Sequence, residues 1–245
     1  MSSTPRFFSP PGAWGDGEVT LPAGESRHAL RVLRMKAGDS VSVLDGFGRM
    51  ARCSVANVIG DRLVATIREV DRQPRPRPAL GVYQGAAKGA KLDDVVERLG
   101  ELGAAEFWAY GSARSVVRWS PDKLDRMIER WRARARSAAK LSGSAWVMEV
   151  GGVLGWRELT SKLSGEESAL ILWEEASEPL RARLPSDPER LALVVGPEGG
   201  LDHGEVEELA AAGASPVSLG PRILRTENAA AVAGAAVAWH YGLIG

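Results

Sequence analysis

Cysteine and histidine are scarce in this chain, and their scarcity excludes several classes of site. The single cysteine, Cys53, excludes a disulfide within the chain and a zinc site built from cysteine ligands. Because Cys53 lies among strand-forming residues, we interpret it as a small buried hydrophobic side chain rather than a nucleophile. The three histidines are scattered without paired spacing, which argues against a histidine metal site. We therefore expect a protein that binds no metal.

Long apolar runs and an excess of charge are absent as well. No stretch reaches the roughly eighteen apolar residues of a membrane-spanning helix, and the first six residues lack the apolar core of a secretion signal. We expect a soluble, cytoplasmic protein. Lysine plus arginine and aspartate plus glutamate balance at 31 each, so the net charge gives no sign of a nucleic-acid partner. Residues 114–140, however, hold nine basic residues and three acidic ones, and such a local surface can bind a polyanion.

The pattern of apolar residues divides the chain into two domains. Residues 1–72 predict short β-strands separated by turns and one helix, over 26–35, which is typical of a small β-barrel. The predicted strands of this part lie at 17–21, 40–44, 51–58 and 62–70. Residues 73–79 are rich in proline and arginine, so we place a stiff linker and the domain boundary there.

In residues 80–245 strands alternate with helices. This order predicts an α/β domain with a mostly parallel sheet and helices on both faces. The predicted strands lie at 80–85, 107–110, 147–150, 170–173 and 191–195, and the main helices at 92–102 and 121–141.

Two glycine-bearing turns are the most informative feature of this domain. In the first, the apolar run 191–195 stops at Gly196, and Asp202 and Glu205 have the spacing of a capping box at a helix start. In the second, Thr226 can cap a long alanine-rich helix. Such turns at the carboxyl ends of strands build the ligand crevice of an open α/β sheet. Two ordinary strand-to-helix turns are the alternative interpretation.

The composition of these turns limits the kind of ligand. Neither turn carries the Gly-Lys-Ser/Thr of a phosphate loop, and the dinucleotide pattern Gly-x-Gly-x-x-Gly is also missing. The turns offer acidic and apolar side chains together with backbone N–H and C=O groups. This chemistry suits an adenine or a zwitterion better than a triphosphate.

The turn sequences Gly196-Pro197-Glu198-Gly199-Gly200 and Leu219-Gly220-Pro221-Arg222-Ile223-Leu224-Arg225 resemble the C-terminal knot of the SPOUT class of RNA methyltransferases. Within that class the chain most resembles the RsmE family, which methylates N3 of a uridine in small-subunit (16S) ribosomal RNA. The resemblance covers nearly the whole chain, including Arg6-Phe7-Phe8 and Glu101-Leu102-Gly103. It implies a SPOUT-type, mostly parallel sheet with a C-terminal trefoil knot, preceded by a PUA-like β-barrel domain that binds RNA. It also implies a homodimer formed through the knot region.

The resemblance further implies S-adenosylmethionine as the methyl donor, held in the knot largely by backbone groups. The residues carried over to this pocket are Leu172, Gly196, Pro197, Gly199, Gly200, Leu219, Gly220, Ile223, Leu224 and Asn228. Arg225 is the candidate cation beside the uracil carbonyls, and Glu198 is the candidate acid for proton handling. Arg225 could instead form a structural ion pair with Glu198 or Glu227, and we interpret Glu227 as a helix-terminus carboxylate.

The helix predicted over 121–141 carries much of the local basic charge. Arg126, Arg130 and Arg134 form a row at i,i+4 spacing away from its apolar face. Like charges at this spacing destabilise a helix slightly, so a purely structural helix would gain nothing from them. We interpret the row as a phosphate-binding surface, with a solvated helix face as the alternative. The candidate RNA-binding residues are Arg6, His28, Arg31, Arg34, Arg114, Arg126, Arg130 and Arg134.

Three positions depart from the family pattern. Leu141 and Ser144 stand where a glutamine and an arginine are expected, and Asn228 stands where threonine is usual. These departures concern the acceptor more than the donor pocket. The alternatives are a paralogue that methylates another RNA site, a small molecule or a peptide, and a non-catalytic RNA-binding protein that keeps the fold.

Overall fold

The computed structural model describes residues 4–88, 90–112 and 120–245. The described chain forms two compact units. The first contains the residues up to Arg75 together with Arg136–Val147, and the second contains Pro76–Ala135 and Met148–Gly245. A segment of the predicted second domain thus groups with the first unit. The domain limits drawn from the sequence, 1–72 and 80–245, remain a proposal beside this division.

The first unit is built around a five-stranded sheet. Its strands are β1 (Arg6–Phe8), β2 (Glu18–Thr20), β3 (Ser40–Leu44), β4 (Arg49–Ile59) and β5 (Arg62–Arg72). They lie in the order β1-β3-β4-β5-β2, and all neighbours are antiparallel except β1 and β3. The four predicted strands are present. β1, a strand of three residues, was not predicted.

One apolar core lies beneath this sheet, and Phe7, Val43 and Leu63 are buried in it. Cys53 lies in the same core, where burial raises the pKa of its thiol to about 11. The thiol is therefore protonated at neutral pH and unsuited to act as a nucleophile. The interpretation of Cys53 as a small buried hydrophobic side chain is confirmed.

The helix of the first unit lies nearer the amino terminus than predicted. α1 (Ala23–Arg27) continues into a π-helical turn over His28–Val32. The helical segment ends before Arg34, whose φ of 54° lies in the left-handed region. The predicted range 26–35 therefore covers residues 26–32 of the segment and the three residues that follow it.

The second unit contains a six-stranded sheet in which every neighbouring pair is parallel. Its strands are β6 (Ala79–Gly85), β7 (Glu106–Tyr110), β8 (Glu149–Leu154), β9 (Ala169–Leu172), β10 (Arg190–Val195) and β11 (Ala214–Val217). They lie in the order β11-β9-β10-β6-β7-β8. The prediction of a mostly parallel sheet is confirmed.

Helices cover both faces of this sheet. They are α2 (Lys91–Glu101), α3 (Pro121–Ser142), α4 (Trp156–Leu163), α5 (Leu180–Arg183), α6 (His203–Ala211) and α7 (Thr226–His240). Phe107 and Tyr110 of β7 point to opposite faces because they are an odd number of residues apart. The Phe107 ring packs against Trp131 of α3 with 5.6 Å between centroids, and the Tyr110 ring packs against Trp156 of α4 at 6.1 Å.

Two strands of this sheet differ from the prediction. β8 was predicted over 147–150 but covers Glu149–Leu154, because Gly151 and Gly152 interrupt the apolar run. β11 was missed because Ser215 and Pro216 lower its strand propensity. The proline is tolerated because β11 lies at the edge of the sheet, where one side of the strand has no ladder partner.

The carboxyl ends of four strands lie level with one another. Val195, the last residue of β10, pairs with Gln84 of β6 on one side and with Leu172 of β9 on the other. Leu172 in turn pairs with Val217 of β11. The loops that follow β9, β10 and β11 therefore leave the sheet at the same edge.

Candidate functional site

The loops after β9, β10 and β11 enclose a cavity of about 500 Å³ at this edge of the sheet. The first turn of α7 and Lys91, the first residue of α2, complete its wall. The volume and the position are those of small-molecule sites in open α/β sheets. The two glycine-bearing turns singled out in the sequence are therefore brought together around one cavity.

The loop after β10 is held close to the end of β6. A Cβ atom on Gly85 would lie 2.3 Å from the backbone nitrogen of Pro197, so only glycine permits this approach. The hydroxyl of Thr226 donates to the carbonyl oxygen of Gly196 at 2.5 Å and accepts from Nε2 of Gln84 at 2.7 Å. These contacts fix the start of the loop.

Thr226 does not cap α7, contrary to the prediction. The cap position is occupied by Arg225, with extended backbone, and Thr226 is the first helical residue. Its side chain is used to join α7 to the loop after β10 instead of to its own helix. The capping box of α6 is confirmed: Oδ1 of Asp202 accepts from the Glu205 backbone at 2.8 Å, and Oε2 of Glu205 accepts from the Asp202 backbone at 3.0 Å.

The loop after β11 supplies much of the apolar wall. Gly220 has a φ of 107°, a conformation that residues with a side chain rarely adopt. Oγ of Ser218 accepts from the Gly220 backbone at 3.1 Å, which stabilises the turn. Leu219 and Leu224 are half-buried, and Ile223 is 89% exposed. An apolar side chain this exposed at a cavity wall is available to a ligand.

A lysine and two glutamates form a charged cluster at the cavity. Nζ of Lys91 lies 2.5 Å from Oε1 of Glu198 and 3.8 Å from Oε2 of Glu227. The hydrogen bond from Lys91 lowers the pKa of Glu198, and the same bond raises the pKa of Lys91. Glu198 is therefore ionised at neutral pH and does not act as a proton donor there.

Arg222 and Arg225 are exposed, and neither forms a salt bridge with a carboxylate of the residues that the structure describes. The alternative in which Arg225 pairs structurally with Glu198 or Glu227 is thus not what the structure has, because Lys91 takes both carboxylates. Both arginines line the cavity with their guanidinium charge available.

Two polar atoms of lining residues have no hydrogen-bond partner among the described residues. They are the indole nitrogen of Trp173 and Oε2 of Glu227, and both are shielded from solvent. Buried polar atoms nearly always have a partner in folded proteins. The wall therefore has one donor and one acceptor that make no hydrogen bond with the described residues, as expected where a polar ligand binds. Oε2 of Glu227 lies in an ion pair with Lys91 at 3.8 Å, beyond hydrogen-bond distance.

Most of the predicted pocket residues line this cavity. They are Leu172, Gly196, Pro197, Gly200, Leu219, Gly220, Ile223 and Leu224, together with the predicted catalytic residues Glu198 and Arg225. Gly199 and Asn228 are not among the lining residues, and Oδ1 of Asn228 accepts from Arg98 at 3.3 Å. The sequence missed Lys91, Trp173 and Glu174. Trp173 and Glu174 directly follow β9, which is a signal that could have found them.

Two of the three arginines in the row on α3 are already paired with acids of α2. Arg130 donates twice to Oδ1 of the buried Asp93, at 3.1 and 3.0 Å, and Arg134 forms an ion pair with Glu97. Arg126 donates to the carbonyl oxygen of Asp122 within its own helix. The premise that a structural helix gains nothing from the row is wrong, because two of its arginines bind carboxylates of a neighbouring helix.

The candidate RNA-binding residues of the first unit differ in their contacts. Arg6 donates to the carbonyl oxygens of Lys140 and Leu141, at 3.1 and 3.3 Å, and so stabilises a helix end. The remaining three, His28, Arg31 and Arg34, are exposed on and just after the π-helical turn. Arg114 lies outside the described residues.

The positions that depart from the family pattern have separate surroundings. Leu141 is 70% exposed. Oγ of Ser144 donates to the carbonyl oxygen of Trp146 at 2.9 Å and accepts from its N–H at 3.0 Å. In the part of the chain that the structure describes, no cluster of three or more His, Cys, Asp or Glu could hold a metal ion, and no helix is long and apolar enough to cross a bilayer.

The chain is similar to known RNA methyltransferases over nearly its full length. Residues 74–238 match the family described as an RNA methyltransferase domain, and residues 21–68 match an RNA methyltransferase PUA domain. Ribosomal RNA small subunit methyltransferase E of Mycobacterium tuberculosis is 39% identical over 226 residues, with 90% of this chain and 86% of the relative covered. The enzyme of the same name from Bacillus subtilis is 33% identical over 234 residues, covering 92% and 91%.

Solved structures give the same result. Ribosomal RNA small subunit methyltransferase E from Neisseria gonorrhoeae, bound to S-adenosyl methionine, superposes with a TM-score of 0.86 at 28% identity, covering 96% of this chain and 97% of that one. A Legionella pneumophila protein described as a methyltransferase and solved with bound SAM superposes with a TM-score of 0.88 at 26% identity, covering 98% of both chains.

Proposed function

The chain belongs to the ribosomal RNA small subunit methyltransferase E family, and we propose that it transfers a methyl group from S-adenosylmethionine to N3 of a uridine in small-subunit (16S) ribosomal RNA. It has the α/β fold with a parallel sheet and the PUA-like amino-terminal domain of its relatives. The observation that carries the proposal is the cavity at the carboxyl ends of the strands. Its wall is partly apolar, and among the described residues two of its polar atoms make no hydrogen bond and its two arginines form no salt bridge.

The cavity wall fits S-adenosylmethionine. Leu219, Ile223 and Leu224 offer apolar surface to an adenine, and the backbone at Gly196 and Gly220 can come close to the polar edges of a ligand. The buried indole nitrogen of Trp173 and the carboxylate of Glu227 add a donor and an acceptor. When bound, this cofactor supplies a methyl group on a positively charged sulfur.

Arg225 has the chemistry to stabilise the acceptor as it becomes anionic. N3 of uracil carries a weakly acidic imide proton that must leave when the nitrogen takes the methyl group. Negative charge then develops on the flanking carbonyl oxygens, and a guanidinium without a carboxylate partner can donate to one of them. Glu198, kept ionised by Lys91, can accept the proton.

The proposal includes a carboxyl-terminal trefoil knot and a homodimer formed through it. α7 supports the dimer, because seven of its 15 residues are alanine yet it leaves Val232 and Trp239 exposed by 46% and 71%. Small residues allow helices to approach closely, and exposed large apolar side chains on such a helix favour a subunit interface.

RNA contact is assigned to the exposed basic residues of the region that matches the PUA family. His28, Arg31 and Arg34 lie in or next to that region, with their side chains in solvent. The guanidinium groups of Arg31 and Arg34 can neutralise phosphate groups. A protein that modifies ribosomal RNA acts where ribosomes are made, so we propose a cytoplasmic location.

Mass spectrometry of nucleosides tests the function directly. 16S ribosomal RNA is purified from three strains and digested to nucleosides. The strains are the wild type, a deletion of the gene, and the deletion carrying the gene on a plasmid. We expect 3-methyluridine to disappear on deletion and to return with the wild-type copy but not with Arg225→Ala. An unchanged amount of 3-methyluridine in the deletion strain contradicts the proposal.

The same samples, together with a calorimetric titration of the protein, separate two of the alternatives. Loss of a different methylated nucleoside indicates a paralogue that methylates another RNA site. The exposed Leu141 and the backbone-bound Ser144, which depart from the family pattern, motivate this alternative. A chain that binds RNA but gives no heat on titration with S-adenosylmethionine is the non-catalytic protein.

A further inference from the structure

Lys91 reaches the cavity from the start of α2, an element that the sequence did not connect with the site. Its ammonium lies 2.5 Å from Glu198, in the loop after β10, and 3.8 Å from Glu227, in the first turn of α7. One cation therefore links three separate elements of the cavity wall.

The two contacts differ in strength. The bond to Glu198 is a charge-assisted hydrogen bond between side chains that are about one-third exposed, at 36% and 33%. The Glu227 side chain is only 15% exposed, and its Oε2 has no hydrogen bond from the described residues. A largely desolvated carboxylate depends on a nearby cation, because an uncompensated charge is costly to bury.

Other charged groups act on the same cluster. Lys88 acts on Glu198 both through a backbone hydrogen bond and through its charge, and Arg225 repels Lys91. The pKa of Glu198 is lowered chiefly by the hydrogen bond from Lys91, and the pKa of Lys91 is raised by the same bond. Lys91 and Glu198 therefore both carry their charges across the neutral range.

We propose that Lys91 is a positioning residue of this site: by binding Glu198 and Glu227 it fixes the loop after β10 against α7 and keeps the cavity shaped for the methyl donor. The identity of that ligand rests on the function proposed above. Lys91 acts through the two carboxylates and does not need to touch the reacting atoms.

Calorimetric titration of the full chain with S-adenosylhomocysteine measures this role without turnover. At pH 7, Lys91→Met should weaken binding roughly tenfold, the size of one charge-assisted hydrogen bond. Lys91→Arg, which keeps a cation with several donors, should recover most of the loss. Lys123→Met is the matched control, since Lys123 is an exposed lysine in the first turn of α3 and outside the cavity. It should bind within about twofold of wild type.

The dependence of affinity on pH distinguishes positioning from a purely structural effect. In the wild type, Glu198 stays ionised until the pH falls through its lowered pKa, so affinity should hold well into the acid range. In Lys91→Met, the pKa of Glu198 returns toward its ordinary value and affinity should fall at a higher pH. In the double variant Lys91→Met with Glu198→Gln, the loss should be smaller than the product of the single losses.

The outcomes separate this inference from the proposed function. If the wild type does not bind S-adenosylhomocysteine, the proposed function fails. If the wild type binds and Lys91→Met matches it in affinity and pH dependence, only the role of Lys91 is overturned. Losses that multiply in the double variant, or no recovery in Lys91→Arg, also overturn it.

Discussion

Arginines occur in two regions of the second unit under opposite conditions. In the cavity, Arg222 and Arg225 have no carboxylate partner among the described residues. On α3, Arg130 is bound by Asp93 and Arg134 by Glu97. Arg225, Arg130 and Arg134 were all predicted to contact a ligand, yet of these three only Arg225 lacks a carboxylate partner among the described residues.

A row of basic residues on a helix therefore indicates a polyanion site only when acidic residues of neighbouring elements do not already pair with it. Asp93 and Glu97 lie in α2, each 37 positions before the arginine of α3 that it binds. A pattern within α3 alone therefore cannot reveal them. Conversely, Lys91 forms ion pairs with Glu198 and Glu227, and among the described residues neither carboxylate pairs with Arg225.

The largest effect should come from Arg225, which has no carboxylate partner among the described residues. Arg225→Ala should lower the methylation rate by roughly 100- to 1,000-fold, the usual effect of removing a donor to a developing oxyanion. Affinity for S-adenosylmethionine should stay within several-fold. Single-turnover methylation of 30S subunits and calorimetry measure the two quantities, with the exposed Arg157→Ala of α4 as the control. A large loss of cofactor binding with Arg225→Ala would make its role structural.

A smaller effect, on stability, should come from Arg130, which is paired with Asp93. Arg130→Ala removes two hydrogen bonds from the buried Asp93, which keeps the indole donor of Trp131 at 2.9 Å. Because Arg130 is half exposed, we expect the free energy of unfolding to fall by about 1–2 kcal/mol. Arg126→Ala removes no carboxylate partner among the described residues and should change it by less than about 0.5 kcal/mol. Equal urea midpoints for the two variants would show that pairing with Asp93 contributes nothing.

The smallest effect concerns RNA binding by the two basic surfaces. Each lost phosphate contact should flatten the plot of log affinity against log salt by about 0.7–0.9. Replacing Arg31 and Arg34 by alanine should therefore flatten it by roughly 1.5, because both residues are exposed. Replacing Arg130 and Arg134 should flatten it by less than one contact, since their charges are already used. Equal flattening would return the α3 row to the phosphate-binding interpretation.

The sequence predicted the elements whose patterns are local. β10 is a continuous apolar run that ends at Gly196, and the capping box of α6 needs only Asp202 and Glu205. β11 and the second half of β8 were not predicted, because proline in the first and two glycines in the second lower the strand propensity. In the structure both segments are strands because they pair with neighbouring strands.

The contacts that complete the site were not predictable from the sequence. Lys91 and Glu198 are 107 positions apart, and Gln84 and Thr226 are 142 apart. No periodicity relates residues at such separations, because only the parallel order of the strands brings them to one edge. Thr226 was assigned to its own helix for this reason.

Binding of S-adenosylmethionine to a matched pair of glycine variants tests the central claim most directly. Gly220 and Gly213 both have positive φ, 107° and 99°, and both have open space where a Cβ atom would lie, but only Gly220 lines the cavity. Alanine should strain either site by about 1–3 kcal/mol, so both variants should lose similar thermal stability. The account predicts that calorimetry finds wild-type affinity in Gly213→Ala and at least a tenfold loss in Gly220→Ala. Equal affinities in the two variants, or no binding by the wild type, would contradict it.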